Sequence, residues 1–290
     1  MSSIFLAIAS FFFFVFTAPT FHASRKSDPI IDNQLRLVWK VNTGVACFRT
    51  RPLVHGGELI MGSNGMNYMD YNLFDKKSGI YVMDAATGTI RSHFGNEVLG
   101  DMDVNGVLFY KNRIYYGNDN EEFICSSPEG KIIWRNPASG DIEHEPILLD
   151  IQGNKYVVYA SEAGEVRAVD PETGKTKWVH YTSDFSGWKP GQNRNIFKVK
   201  AWFSNTTSFF TRPVLADLNR DGINDLIYLT YDSRVYAING KSGSLLWSYM
   251  PEHGLGYLLI RTGTSSEPSF LISSSFYDST YKNALIQLDR

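Results

Sequence analysis

The chain has 290 residues, 43% of them hydrophobic and 14% aromatic, with a formal net charge of −2 and two cysteines. That length and apolar content suffice for a core that buries about three quarters of the unfolded chain's surface. A near-neutral balance without a Lys/Arg-rich run excludes a dedicated nucleic-acid binder, which needs a basic stripe, and Cys47 and Cys125 alone make no disulfide framework.

The first element is a targeting segment. Ile4 to Thr17 is a largely apolar run followed by small residues at Ala18 and Ala23, too short for a membrane span and of signal-peptide length. Residues 1–23 are therefore expected to be a signal peptide or an N-terminal anchor, although no Lys or Arg precedes the run. Residues 24–34 read as a linker. With no cysteine following the run, a lipoprotein is not expected.

From Leu35 onward the chain reads as strands. Leu35–Lys40 carries Trp39 but has no strand signals before it. A phrase then recurs: an apolar strand, a turn ending in glycine, and a tryptophan four residues later. It runs Val166–Val169, Asp170-Pro171-Glu172-Thr173-Gly174, Trp178, and again Val235–Ile238, Asn239-Gly240-Lys241-Ser242-Gly243, Trp247. Phe123–Cys125 leads through Gly130 to Trp134. Ile80–Asp84 leads through Thr87-Gly88 to a strand with Phe94 where tryptophan is expected. A repeat of this length built only of strands marks a propeller. Alternating side chains make half-buried strands, Asp or Asn with Gly makes the turn, and the aromatic packs between neighbouring sheets.

Two further strand signals precede each phrase, completing a four-stranded blade. The last of them, through Ser269–Ser273 and Ala284–Leu288, lacks its tryptophan strand, and Leu35–Lys40 is the strand left over. The expected fold is all-β: a β-propeller of four-stranded blades over residues 35–290, five blades closed by the N-terminal strand. The alternative is a fragment of a seven- or eight-bladed ring.

The pattern of an Ala/Val-Val/Ile-Asp/Asn strand end, Thr/Ser-Gly and Trp resembles the pyrroloquinoline-quinone-like propeller repeat of quinoprotein dehydrogenases and of non-enzymatic outer-membrane assembly scaffolds. The resemblance covers residues 35 to 290 and speaks to fold more than to activity. It implies one of two functions, a quinone-dependent oxidoreductase or a binding scaffold. The alcohol dehydrogenases of this kind carry a vicinal Cys-Cys disulfide beside the cofactor. Cys47 and Cys125 are not adjacent, which counts against pyrroloquinoline quinone here. Both read as buried free thiols.

The sharpest chemical motif is Asp217-Leu218-Asn219-Arg220-Asp221-Gly222-Ile223-Asn224-Asp225. Side-chain oxygens at Asp217, Asn219, Asp221 and Asp225, with the backbone carbonyl of Ile223 and a glycine for the tight turn, can wrap one calcium ion. With Arg212–Ala216 leading into it, the loop resembles the FG-GAP calcium loop of integrin-type propellers; the competing reading is an Asx-turn hairpin without an ion. Asp101–Gly106 and Asp150–Asn154 look similar but lack the required acids. The six histidines show no ligand spacing. Arg51, Glu145 and Arg212 flank inner-strand prolines and are expected to face the central channel.

Three insertions break the repeat: Asn64–Phe74, Ser183–Thr207 and Phe276–Tyr281. All emerge on one face of a propeller, and they hold Tyr68, Tyr71, Phe74, Trp188, Trp202, Phe276 and Tyr277, the composition of a binding surface. The sequence is accordingly read as a secreted, periplasmic or extracellular binding scaffold, non-catalytic and stabilised by calcium. Its expected partner is a protein or extracellular ligand on the insertion face, and no membrane span is expected beyond the N-terminal segment.

Overall fold

The computed structural model describes residues 37–44, 51–63, 66–67, 70–74, 77–95, 104–181, 212–230, 234–249, 255–264, 267–275 and 283–288. The chain divides into two units, Met1–Val38 and Trp39–Arg290, and every described sheet belongs to the second. Among the described residues there are strands and turns but no helix, and hence none long and apolar enough to cross a membrane.

Each sheet is an antiparallel meander. The first joins β1 (Leu53–His55), β2 (Glu58–Ser63), β5 (Gly79–Asp84) and β6 (Ile90–Phe94), with a small hairpin of β3 (Met66–Asn67) and β4 (Asp70–Phe74) inserted between β2 and β5. The second holds β7 (Val107–Tyr110), β8 (Arg113–Asn118), β9 (Glu122–Ser126) and β10 (Ile132–Pro137). The third holds β11 (Ile147–Ile151), β12 (Asn154–Ala160), β13 (Glu165–Val169) and β14 (Thr176–Tyr181). The fourth holds β15 (Val214–Ala216), β16 (Asp225–Leu229), β17 (Val235–Ile238) and β18 (Leu245–Tyr249). The last has three described strands, β19 (Leu255–Gly263), β20 (Pro268–Ser275) and β21 (Asn283–Leu288). This is the expected β-propeller of four-stranded blades.

Burial follows position within the sheet. β13, β16 and β17 are buried at every residue, whereas the outermost strands β10, β14 and β18 are largely exposed. A strand buried on both faces needs a neighbour on each side, and the core supplies it in series. Ile60, Ile80 and Val82 of the first sheet pack with Ile114, Tyr116 and Ile124 of the second. Tyr115, Phe123 and Cys125 pack with Val157, Tyr159 and Val169 of the third, Val158 and Trp178 with Leu226 and Tyr236 of the fourth, and Ile227 and Ala237 with Phe270 and Ile272 of the last.

Among the described residues, the outer strands of the second and third sheets also stitch each to the next. Trp134 donates its indole N–H to the carbonyl of Pro171 at 3.1 Å, and Trp178 donates to that of Gly240 at 3.0 Å. Two residues further on, Asn136 donates to the Gly174 carbonyl at 2.7 Å, and His180 Nδ1 lies 3.1 Å from that of Gly243. The turn that receives them is held by its first residue: Asp170 Oδ1 accepts the amides of Glu172 and Thr173, and Asn239 Oδ1 those of Lys241 and Ser242. The closing glycine must stay bare. A Cβ at Gly174 or Gly243 would lie 2.8 or 2.6 Å from the indole, and both have positive φ, +72° and +75°.

The first sheet makes the same joint with different residues. At the tryptophan position Ser92 donates its hydroxyl to Pro128 at 2.7 Å, and Phe94 supplies the apolar seat, 2.5 Å from a Cβ built on Gly130. The expected tryptophan is thus replaced by two side chains on one face of β6.

At the N-terminal end the structure differs from expectation. Residues 37–44 hold no strand, and no described strand pairs with the outer side of β21, so closure by a Leu35–Lys40 strand is not seen among the described residues. Trp39 nonetheless occupies a tryptophan seat on the first sheet: its indole N–H donates to Ala85 at 3.1 Å, and Gly88 lies against its ring. The seat is formed by a side chain and a turn, so it can be filled without a ladder.

Candidate functional site

The acidic loop joins β15 to β16, as its sequence requires, and is ordered from within. Asp217 Oδ1 accepts the amide of Asp221 at 3.1 Å, and its Oδ2 that of Gly222 at 2.9 Å. Asn219 Oδ1 accepts from Asp221 at 3.0 Å, and Asp221 Oδ1 accepts from Ile223 at 2.9 Å. Arg220 and Gly222 take positive φ to make the bend. Asn219 and Asp221 are exposed and Asp217 half-buried, so three side-chain oxygen donors lie together at the rim.

Asp225 has a different setting. It is fully buried, and its two oxygens accept the amides of Leu218 at 2.8 Å and Gly240 at 3.0 Å. Burial raises its pKa above the ordinary carboxylate value, against the pull of those amides. It ties the loop to the glycine turn that receives Trp178, a structural duty that the spacing alone did not reveal. Among the described residues no three His, Cys, Asp or Glu side chains converge as they would around a metal ion. The comparable bend at Asp150 offers one carboxylate, which accepts Gly153 N–H at 2.7 Å and pairs with Lys155 at 2.8 Å.

Three charged residues that precede β1, β11 and β15 come together. Glu145 Oε1 lies 3.5 Å from Arg51 Nη1 and 3.6 Å from Arg212 Nη1, linking residues that precede three different sheets. The two arginine side chains are 73% and 52% exposed, so each contact is solvent-screened and worth about 0–1 kcal/mol. Beside them His144 is buried, with Nδ1 2.9 Å from the Glu145 carbonyl and Nε2 unpaired. Burial lowers its pKa below the usual histidine value, and the neighbouring Glu145 and Glu143 oppose that shift only in part. Asn105 Nδ2 donates to Glu143 Oε2 at 2.9 Å.

At the end of the sheets from which the insertions depart, a pair that sequence reading missed is buried. Glu165 is fully buried and Arg167 is 8% exposed, with Nε and Oε1 at 2.6 Å, and Glu165 Oε2 accepts the amide of Ser139 at 3.0 Å. Desolvation raises the Glu165 pKa, against the attraction of Arg167. The signal in the sequence was opposite charges two apart on an otherwise apolar strand. Of the expected surface aromatics, Tyr71 and Phe74 fall in β4, so the first insertion is a hairpin rather than a bare loop. Tyr68, Trp188, Trp202, Phe276 and Tyr277 lie outside the described residues, as do Cys47 and residues 1–36. Cys125 is a free, buried thiol whose pKa is pushed up to about 11, chiefly by burial.

In fold, the chain is similar to the quinohemoprotein alcohol dehydrogenase of Comamonas testosteroni, with a TM-score of 0.52 at 15% identity over 82% of this chain and 41% of that one. Weaker likenesses are to the alcohol dehydrogenase ADHIIG of Pseudomonas putida HK5 (TM-score 0.49, 16% identity, 77% of this chain and 38% of that) and to BamB of Moraxella catarrhalis (0.45, 14%, 80% and 59%). The chain thus spans about two fifths to three fifths of the length of these solved chains. No curated protein matches it significantly. The sequence is more specific than these likenesses: residues 36–250 match the family described as outer membrane protein assembly factor BamB, and the chain belongs to that family.

Proposed function

We propose that the protein is an extracytoplasmic, non-catalytic propeller that acts as a protein-binding scaffold in outer membrane assembly. The observation that carries this reading is the family match over residues 36–250. Two features support it. The polar groups gathered near the inner strands are engaged with one another, Arg51 and Arg212 with Glu145 and Asn105 with Glu143. The insertion between β2 and β5 forms a hairpin whose strand β4 contains Tyr71 and Phe74.

Calcium belongs to the same proposal. Asp217, Asn219, Asp221 and Asp225, with the Ile223 carbonyl, would hold the ion, and Asp225 also fixes the base of the loop through the Leu218 and Gly240 amides. The ion would brace the β15–β16 connection, at the end opposite the insertions, and its part is structural.

Titration with pyrroloquinoline quinone, followed by a dye-linked dehydrogenase assay, tests the non-catalytic reading. The expected result is neither stoichiometric binding nor turnover. Stoichiometric binding with turnover would replace the scaffold by a quinone-dependent oxidoreductase.

A further inference from the structure

The glycine turns that receive Trp39, Ser92, Trp134 and Trp178 differ at their second residue, whose carbonyl takes the incoming donor. Pro128 and Pro171 have no amide N–H, and Ala85 gives its own to the Gly57 carbonyl at 2.9 Å. In the fourth turn that residue is Gly240, and its N–H goes to a side chain, the buried carboxylate of Asp225, at 3.0 Å. Glycine is forced here, because a Cβ on residue 240 would collide with the carbonyl oxygen of Asn224 at the end of the acidic loop. With asparagine opening the turn, that close approach leaves an Asn-Gly pair, in which no side chain shields the amide nitrogen from the preceding carboxamide. Asn239 Oδ1 accepts the amides of Lys241 and Ser242 at 3.0 and 2.9 Å and the Ser242 hydroxyl at 2.9 Å. Three donors on one carbonyl oxygen polarise its carbon and would stabilise an oxyanion formed there. The nucleophile is restrained instead: Asp225 holds the Gly240 proton, and its negative charge disfavours the deprotonated amide that must attack. Asn105-Gly106, the other Asn-Gly pair among the described residues, has no such oxyanion donors among them, and its side chain donates to Glu143 Oε2.

We propose that Asn239-Gly240 is a deamidation site, primed by its turn and guarded by Asp225, whose conversion to isoaspartate unfastens the Trp178 joint. When the Asp225 bond is released, hydroxide removes the Gly240 amide proton and the nitrogen attacks Cγ of Asn239. A C–N bond forms, the bond from Cγ to the side-chain nitrogen breaks, and ammonia leaves with a proton taken from water. Water then opens the cyclic imide at either carbonyl, giving aspartate or isoaspartate. Aspartate preserves the turn, since Asp84 and Asp170 accept the corresponding amides in theirs. Isoaspartate adds a methylene to the main chain immediately before Gly240, whose carbonyl Trp178 bonds at 3.0 Å. The chemistry requires neither the scaffold role nor calcium.

The test is incubation of the full chain at mildly alkaline pH without calcium, with residue 239 followed by peptide mapping and an isoaspartate assay. Folded wild type should deamidate there at least about tenfold more slowly than the urea-unfolded chain. Asp225→Asn, verified as folded by near-ultraviolet circular dichroism, should react at least about tenfold faster than folded wild type, the effect of losing one charge-assisted hydrogen bond. Trp134→Ala loosens a different joint and keeps Asp225, so it should stay close to wild type, as should the peptide holding Asn105 in every folded variant. Ser242→Ala removes one oxyanion donor at an exposed position and should slow the reaction about three- to tenfold, whether or not Asp225→Asn folds. Asn239→Asp should melt with the wild type, whereas aged protein enriched in isoaspartate should melt several degrees lower. Wild type reacting as fast as the unfolded chain, Asp225→Asn reacting no faster than wild type, or an unchanged rate in Ser242→Ala overturns the proposal. Trp134→Ala reacting as fast as Asp225→Asn overturns it equally, because general loosening would then explain the release.

Discussion

The hydroxyl of Ser92 donates to the carbonyl of Pro128 at 2.7 Å, the place where Trp134 and Trp178 put an indole N–H in the following sheets. One joint is thus built in two ways, and the bond and the apolar contact can be separated. Ser92→Ala should cost about 0.5–1.5 kcal/mol, the worth of a hydrogen bond. Trp178→Ala, which removes both and leaves a cavity between the third and fourth sheets, should cost about 3–5 kcal/mol. Urea unfolding of the two variants checks the difference.

The acidic loop separates an ion effect from a scaffold effect. With calcium bound there, excess chelator should lower the melting temperature of the wild type by several degrees, and Asp221→Ala should melt lower and not respond. Asp225→Ala should lose about 2–5 kcal/mol even in chelator, because it strands the buried amides of Leu218 and Gly240. Equal melting of metal-free and calcium-loaded wild type removes the ion and leaves an Asx hairpin.

Much of this was readable in the chain because turns and strand alternation are local. Asp170, Thr173, Gly174 and Trp178 sit close together in sequence, and each has one steric or hydrogen-bonding duty in the joint. The contact of Glu145 with Arg51 and Arg212 was not legible, because it joins residues that precede three different sheets. Asp225 carries a second duty that spacing hides: its bond from the Gly240 amide comes from a contact 15 residues away. The strandless seat of Trp39 was hidden for the same reason, since side-chain seating on a turn leaves no pattern of alternation.

His144 gives stability a pH dependence of definite sign. Its folded pKa lies below its unfolded value of about 6.5 because burial disfavours the charged ring. The neutral ring's contribution is therefore complete above that value and is lost as pH falls through the folded pKa. The wild type should weaken on acidification below about pH 6.5. His144→Gln should flatten that part of the profile, as followed by thermal melts; an unchanged slope would refute the assignment.

The buried pair of Glu165 and Arg167 should behave asymmetrically. Removing one partner, as in Arg167→Met, leaves an uncompensated buried carboxylate and should cost about 3–5 kcal/mol. The double change Glu165→Leu with Arg167→Met should recover most of that loss. Denaturant titration of the single and double variants gives the coupling directly, and additive losses would contradict it.

Site-specific photo-crosslinking from Tyr71, in β4 of the inserted hairpin, tests the scaffold reading most directly, with Arg220 of the acidic loop as the control position. In intact cell envelopes, the account predicts a defined adduct with an outer membrane assembly protein from position 71 and none from position 220. Adducts of equal yield from both positions, or no adduct from position 71, would contradict it.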